Sequence, residues 1–201
     1  MILGITGGIG CGKSTAARLI EGRGFRRVDS DALVRDQVLT LPEVREKLKA
    51  RLGDGILTAD GAVDRPRLAQ RVFGDEAALQ WLEDLTHPLV FELWRQAFAT
   101  EPRGRWVVEV PLLFEKKLEN WFDFTVCVAC APAQQLARLE QRGLPHALAE
   151  QRISTSRSTT IRICHRISIN PRRQARNRRR WAVASTCCYC SAKIARQRPI
   201  A

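Results

Sequence analysis

The sequence predicts an α/β fold built on a parallel sheet, and three observations predict it. A short apolar strand over residues 2–6 runs into a glycine-rich turn. A helical pattern follows over about residues 13–22. A second strand then closes on Asp29-Ser30-Asp31. Strand, loop, helix, strand is a βαβ unit, and its crossover demands parallel pairing.

The remaining elements follow in order. Residues 32–39 read as helix. Residues 42–99 are mostly helical: an amphipathic stretch at 43–52, a glycine-rich turn region at 53–62, then helices over 65–73, 76–85 and 88–98, with Pro88 separating the last two. This block is expected to form a helical insertion beside the sheet. Residues 105–110 read as a central strand and 124–129 as another. A helix over 132–142 is broken by Gly143, and a further helix starts near Pro145 and continues to 153. Beyond Thr155 neither a period of 3.6 nor one of 2 is sustained. Residues 1–154 therefore form the expected domain, and 155–201 a basic tail outside it.

Composition bounds the function. The chain has 201 residues, and a hydrophobic content of 45% is enough to build one core. No run of 18 apolar residues exists, so no membrane span is expected. The N-terminus lacks the pattern of a secretory leader, so the expected location is the cytoplasm. The net charge of +12 suggests nucleic acid until it is located. Residues 1–154 hold 21 basic and 21 acidic side chains; residues 155–201 hold 12 basic and none acidic. Such a tail would contact phosphate backbones without sequence preference. Only Trp181 and Tyr189 stand there to stack on bases, so nucleic acid is not the expected partner. The seven cysteines are an odd number and argue against a disulfide framework. Oligomeric state is not legible.

The strongest motif is Gly7-Gly8-Ile9-Gly10-Cys11-Gly12-Lys13-Ser14, which fits G-x-x-x-x-G-K-[ST]. It stands after a strand and before a helix, where the chemistry needs it. Backbone N–H groups of such a loop point inward at a polyphosphate, and the helix N-terminus adds positive charge. Lys13 is expected to neutralise the β- and γ-phosphates of ATP, and the Ser14 hydroxyl to ligate Mg²⁺.

Two acids, Asp29 and Asp31, close the second strand two residues apart, which would set both carboxylates on one face. Strand ends of this kind face the ligand crevice. A hydroxyl that accepts a phosphoryl group needs a carboxylate to take or orient its proton. One of the pair could instead cap the following helix, and Asp31 is placed for either role. Glu109, near the end of an otherwise apolar strand, is either an acid reaching the metal through water or a residue at the solvent edge. Arg138 and Arg142, four apart, would share a helix face ahead of a Gly143–Pro145 hinge. They read as a basic lid over about residues 138–154, or else as a solvated charged face. Cys127 and Cys130 read as buried thiols, since positions three apart on a strand face opposite sides.

Several strings taken together resemble the dephospho-CoA kinases: residues 4–15 around the phosphate loop, Val28-Asp29-x-Asp31 followed by Arg35, Leu85-x-His87-Pro88-Leu89, residues 107–115 from Val107 to Glu115, and Gln135-x-x-Arg138-Leu139-x-x-Arg142-Gly143. The resemblance implies a P-loop NTPase of the nucleoside-monophosphate-kinase type, three-layered, with a helical acceptor-binding insertion and a lid. It implies ATP and Mg²⁺ as cosubstrate and cofactor, dephospho-CoA as acceptor, and the last step of CoA synthesis. By position it implies Asp31 as catalytic base, Lys13, Arg138 and Arg142 as catalytic cations, and Gly8, Gly10, Cys11, Gly12, Lys13, Ser14 and Thr15 around ATP. It further implies Thr6, Arg35 and His87, with Asp31, toward the acceptor, and Ser14 and Glu109 toward the metal. Cys11 stands where the family has serine. From Thr155 the family pattern is lost, acids vanish and arginines rise. That stretch reads as a shifted reading frame, and its loss of family sequence predicts impaired catalysis. The alternatives are another small-molecule P-loop kinase, or a nucleotide-binding body with a nucleic-acid-binding tail.

Overall fold

The computed structural model describes residues 1–72 and 75–163, with side chains up to Ser154. Four parallel strands form the sheet in the order β2-β3-β1-β4, with β1 at Ile2–Gly7, β2 at Arg26–Asp29, β3 at Trp106–Glu109 and β4 at Phe124–Val128. β3 slots between β1 and β2, pairing Ile2–Ile5 with Trp106–Glu109 on one side and Arg26–Asp29 with Trp106–Glu109 on the other. Because strand side chains alternate, each face of the sheet takes its own cover.

On one face Ile5 and Val107 pack against Ala17 of α1 (Lys13–Glu21). On the other, Val28, Trp106 and Val108 join the helices that lie between β2 and β3 in a single large core. Those helices are α2 (Ser30–Leu33), running into a π-helical turn at Val34–Val38, then α3 (Pro42–Leu52), α4 (Arg65–Val72) and α5 (Glu76–Thr100). Val44, Leu48, Leu68, Val72, Val90 and Trp94 fill this side. Gly4 lets this core close over β1: a Cβ there would lie 2.8 Å from Leu113 and Phe122. After β4 come α6 (Pro132–Glu140) and α7 (His146–Ile163), which share a small core of Leu139, Ala149 and Ile153.

The structure corrects three local expectations. Pro88 does not divide two helices but lies inside α5, 25 residues long. A proline in a helix interior costs about 3 kcal/mol. Burial of Leu82, Leu85, Leu89, Val90 and Trp94 on both sides of it outweighs that. Arg142 stands beyond α6, in the turn that carries its backbone N–H to the Leu139 carbonyl at 3.0 Å, so the two lid arginines are not both on one helix. Cys130 lies two residues past β4, so the face alternation of a strand does not apply to it. The first part of the expected tail instead continues α7 as far as Ile163; from residue 164 on, with its cysteines and the reading-frame question, it lies outside the described residues.

Candidate active site

The phosphate loop folds as its glycines require. Gly7 has φ 148°, and a Cβ on it would stand 2.1 Å from the Val128 carbonyl of β4, so no side chain fits. Gly12, at φ 95°, takes the left-handed conformation that opens α1 and accepts a hydrogen bond from the Ala16 N–H at 3.0 Å. α1 has no side-chain cap, which leaves its first N–H groups facing the loop. The helix N-terminus and the loop backbone thus form one electropositive concavity. Lys13 reaches back over it, donating from Nζ to the carbonyls of Gly7 at 2.9 Å and Gly8 at 3.1 Å. Ser14 and Thr15 are exposed in the first turn of α1, while Gly8, Gly10 and Cys11 are buried.

The acid pair resolves into two roles. β2 ends at Asp29 and the chain turns at once into α2, so the same-face geometry of a continuing strand is absent. Asp29 is the helix cap: its side chain accepts from the Ala32 N–H at 3.1 Å. That leaves Asp31 uncommitted in the first turn of α2. Asp31 keeps access to solvent, yet the surrounding protein raises its pKa. Burial is the main cause, and the Asp29 charge adds to it; Lys13 and Arg65 pull the other way, and Glu109 pushes up again. A carboxylate raised from its ordinary value is a better proton acceptor than a free one near neutral pH. Lys13 shows the converse. Burial lowers its pKa, against the attraction of Cys11, Asp31 and Glu109, while the charge of Arg142 lowers it further. These mutual effects put Lys13, Asp31, Glu109 and Arg142 in one electrostatic neighbourhood.

Glu109 is not a solvent-edge residue. It is 5% exposed and bonds to Arg27 Nε at 2.5 Å. Arg27 also reaches Asp29 at 3.3 Å, so one guanidinium holds both the acid at the end of β3 and the helix cap. Arg138 lies against the loop, donating from Nη1 to the Gly10 carbonyl at 3.1 Å. Gln135 donates to the Ile9 carbonyl at 2.8 Å and to Cys11 Sγ at 3.2 Å. Ile9 in turn packs against the core of Leu139, Ala149 and Ile153, so the α6–α7 unit is rooted on the phosphate loop.

Among the other candidates, Arg35 lies within reach of the Asp29 and Asp31 charges, and His87 sits apart from this cluster. Thr6 is buried and donates to the Pro111 carbonyl at 3.0 Å, tying β1 to the segment after β3. Arg35 is exposed and engaged by its neighbour Asp36 at 2.6 and 2.8 Å. His87, inside α5, has its ring 5.9 Å from that of Phe91, and burial lowers its pKa. The charges acting on it are Glu83, Lys116 and Asp84, none of them from the phosphate loop.

Arg27 and Arg65 belong to no recognisable motif for phosphate chemistry; Gln135 heads the string that carries Arg138 and Arg142, but that string assigns it no role. For Arg27 a signal did exist. An arginine in one strand and a glutamate in another, both bound for the interior, need each other, because a buried charge is tolerated only when paired.

A metal would find limited protein ligation here. Among the described residues no group of three or more His, Cys, Asp or Glu could hold one. The donor set, a Ser14 hydroxyl and nearby carboxylates beside a polyphosphate loop, fits Mg²⁺, which keeps several waters and takes one or two protein oxygens plus substrate phosphates.

The family model of dephospho-CoA kinase matches residues 1–166. A dephospho-CoA kinase from Thermosynechococcus vestitus is 44% identical over 141 residues, covering 70% of this chain and 70% of that one. A solved structure from Thermus thermophilus superposes with a TM-score of 0.68 at 31% identity, covering 89% of this chain and 84% of the other. Dephospho-CoA kinase from Campylobacter jejuni, at 24% identity and a TM-score of 0.54 over 78% of this chain and 80% of its own, shares the fold.

Proposed function

The chain belongs to the dephospho-CoA kinase family, and on that premise we propose that it transfers the γ-phosphoryl group of ATP to the ribose 3′-hydroxyl of dephospho-CoA. The products are coenzyme A and ADP, the last step of CoA biosynthesis. The observation that carries the reading is Asp31, a carboxylate free of capping duty and raised in pKa, beside the lysine of a phosphate loop.

In this reading the loop N–H groups and Lys13 bind the β- and γ-phosphates, and Gly8, Gly10, Cys11, Gly12, Ser14 and Thr15 line that contact. Lys13 exchanges its two carbonyl partners for phosphate oxygens, a stronger charge-assisted bond. Asp31 accepts the proton of the 3′-hydroxyl as that oxygen attacks in line. Arg138 and Arg142 cover the charge of the transferring group, with α6–α7 acting as the lid. Thr6, Arg35 and His87 face the acceptor side. Mg²⁺, held by Ser14 and through water by Glu109, would supply charge neutralisation for the phosphates. Arg27 fixes the Glu109 carboxylate by its ion pair. We place the reaction in the cytoplasm; among the described residues no helix is long and apolar enough to cross a membrane.

The test is to offer the chain ATP with dephospho-CoA, and separately with other alcohol acceptors, and to follow products by mass. Coenzyme A formed from dephospho-CoA alone supports the reading. Phosphorylation of another acceptor in preference to dephospho-CoA refutes it.

A further inference from the structure

We propose that Cys11 and Cys130 form an oxidant-responsive thiol pair, whose disulfide distorts the phosphate loop and shuts off nucleotide binding. The inference deepens the reading above and rests on it, since it concerns regulation of the same loop.

The two thiols flank one peptide unit of the loop. Cys11 follows Gly10 directly and is buried. Its sulfur accepts from Gln135 Nε2 at 3.2 Å, which turns it toward α6. Cys130, half-buried just past the end of β4, donates from Sγ to the Gly10 carbonyl at 3.8 Å. Arg138 Nη1 bonds to that same carbonyl at 3.1 Å and to Cys130 Sγ at 3.6 Å. Burial first, and then the neighbouring Cys11 by its charge and a hydrogen bond between the thiols, hold the Cys130 thiol above its ordinary value; the Arg138 guanidinium opposes them. In a chain read as cytoplasmic such a thiol pair stays reduced until an oxidant reaches it, and the Arg138 guanidinium is the neighbour that favours the Cys130 thiolate.

The chemistry closes with a peroxide as oxidant. The Cys130 thiolate, the more accessible of the two, attacks one oxygen of hydrogen peroxide. The O–O bond breaks, hydroxide leaves and takes up a proton as water, and Cys130 becomes a sulfenic acid. The Cys11 thiolate then attacks that sulfur and the S–O bond breaks. The departing hydroxide leaves as a second water with the proton that Cys11 gave up. Two thiols lose two electrons in total, and one peroxide becomes two waters.

The consequence follows from the partners. Joining the sulfurs requires a bond of about 2.05 Å with a fixed dihedral, so the Gly10–Cys11 peptide must move toward Cys130. That peptide carries one N–H, that of Cys11, which donates to the Gly8 carbonyl at 3.3 Å, and its carbonyl anchors Arg138. Misdirecting two charge-assisted hydrogen bonds to phosphate lowers ATP affinity by about a hundredfold.

The experiment treats the full chain with hydrogen peroxide, maps its disulfides by mass spectrometry, and titrates ATP calorimetrically before treatment, after it, and after dithiothreitol. The expected result is a Cys11–Cys130 linked peptide and a loss of ATP affinity of about a hundredfold that dithiothreitol reverses. Cys130→Ser should keep its affinity through the treatment. The proposal is overturned if no Cys11–Cys130 peptide forms, if affinity survives the bond, or if Cys130→Ser loses affinity equally. A chain that forms the bond on treatment but binds no ATP before it also overturns the proposed shut-off, and it refutes the kinase reading as well.

Discussion

Replacing Arg27 by methionine keeps an unbranched apolar stem and removes the only cation within bonding distance of Glu109 among the described ion pairs. Glu109 is 5% exposed and cannot turn to water without opening the β2–β3 pairing, in which its register partner is Asp29. Stripping one partner from a buried ion pair costs about 3–5 kcal/mol. The Arg27 side chain is 23% exposed, so some water reaches the pair. We therefore take the lower end, about 3 kcal/mol. For a chain of this size that is a melting shift of roughly 6–12 °C. The assay is urea unfolding followed by the fluorescence of the core tryptophans, of which Trp94 and Trp106 are buried. Arg27→Met combined with Glu109→Gln should recover most of the loss, because the uncompensated charge is then gone. A single variant that loses under about 1 kcal/mol, with no recovery in the double variant, refutes the assignment of Glu109 as a charge held by Arg27. There is a catalytic corollary. Glu109 already raises the pKa of Asp31, so freeing its charge should move the acidic limb of kcat/KM upward.

Three further outcomes follow from the same geometry. In the parent chain the acidic limb of kcat/KM should lie above the ordinary aspartate value of 3.8, with activity lost as pH falls through the raised pKa of Asp31; a limb at or below that value contradicts Asp31 as base. Gly7→Ala should prevent folding to a soluble, ATP-binding form, since its Cβ would overlap the Val128 carbonyl of β4; a well-folded variant by circular dichroism and calorimetry contradicts the packing. His146, raised in pKa mainly by its hydrogen bond to Glu140 and by the Glu150 charge, ties α7 to the end of α6. That tie is present in full below the ordinary histidine range and fades as pH rises through the raised value, so the protection of amides across residues 144–154, relative to their intrinsic exchange rates, should fall across that rise in the parent and stay level in His146→Ala.

How much of this was legible in sequence depended on how local the signal was. The phosphate loop was readable because its whole chemistry lies in eight consecutive residues bounded by a strand and a helix. The acid pair was found by its spacing, but the sequence could not divide its labour. That division depends on β2 stopping at Asp29, which makes Asp29 the cap and leaves Asp31 free. Pro88 was read as a break because local propensity favours one; tertiary burial along α5 overrode it. The Arg27–Glu109 pair joins residues 82 apart and exists only through the register of two parallel strands. Cys130 shows the same limit. Its separation from Cys127 invited comparison with its near neighbour, whereas its hydrogen-bonding partners are Gly10, Cys11 and Arg138.

The most direct measurement of the central claim is Mg²⁺-dependent transfer of γ-labelled phosphate from ATP to dephospho-CoA by this chain, with Asp31→Asn alongside. The account predicts label in the 3′-phosphate of coenzyme A. It also predicts a fall in kcat of about 10²–10⁴ for Asp31→Asn, with ATP affinity nearly unchanged. Unlabelled acceptor from a folded chain that binds ATP, or full turnover in Asp31→Asn, would contradict it.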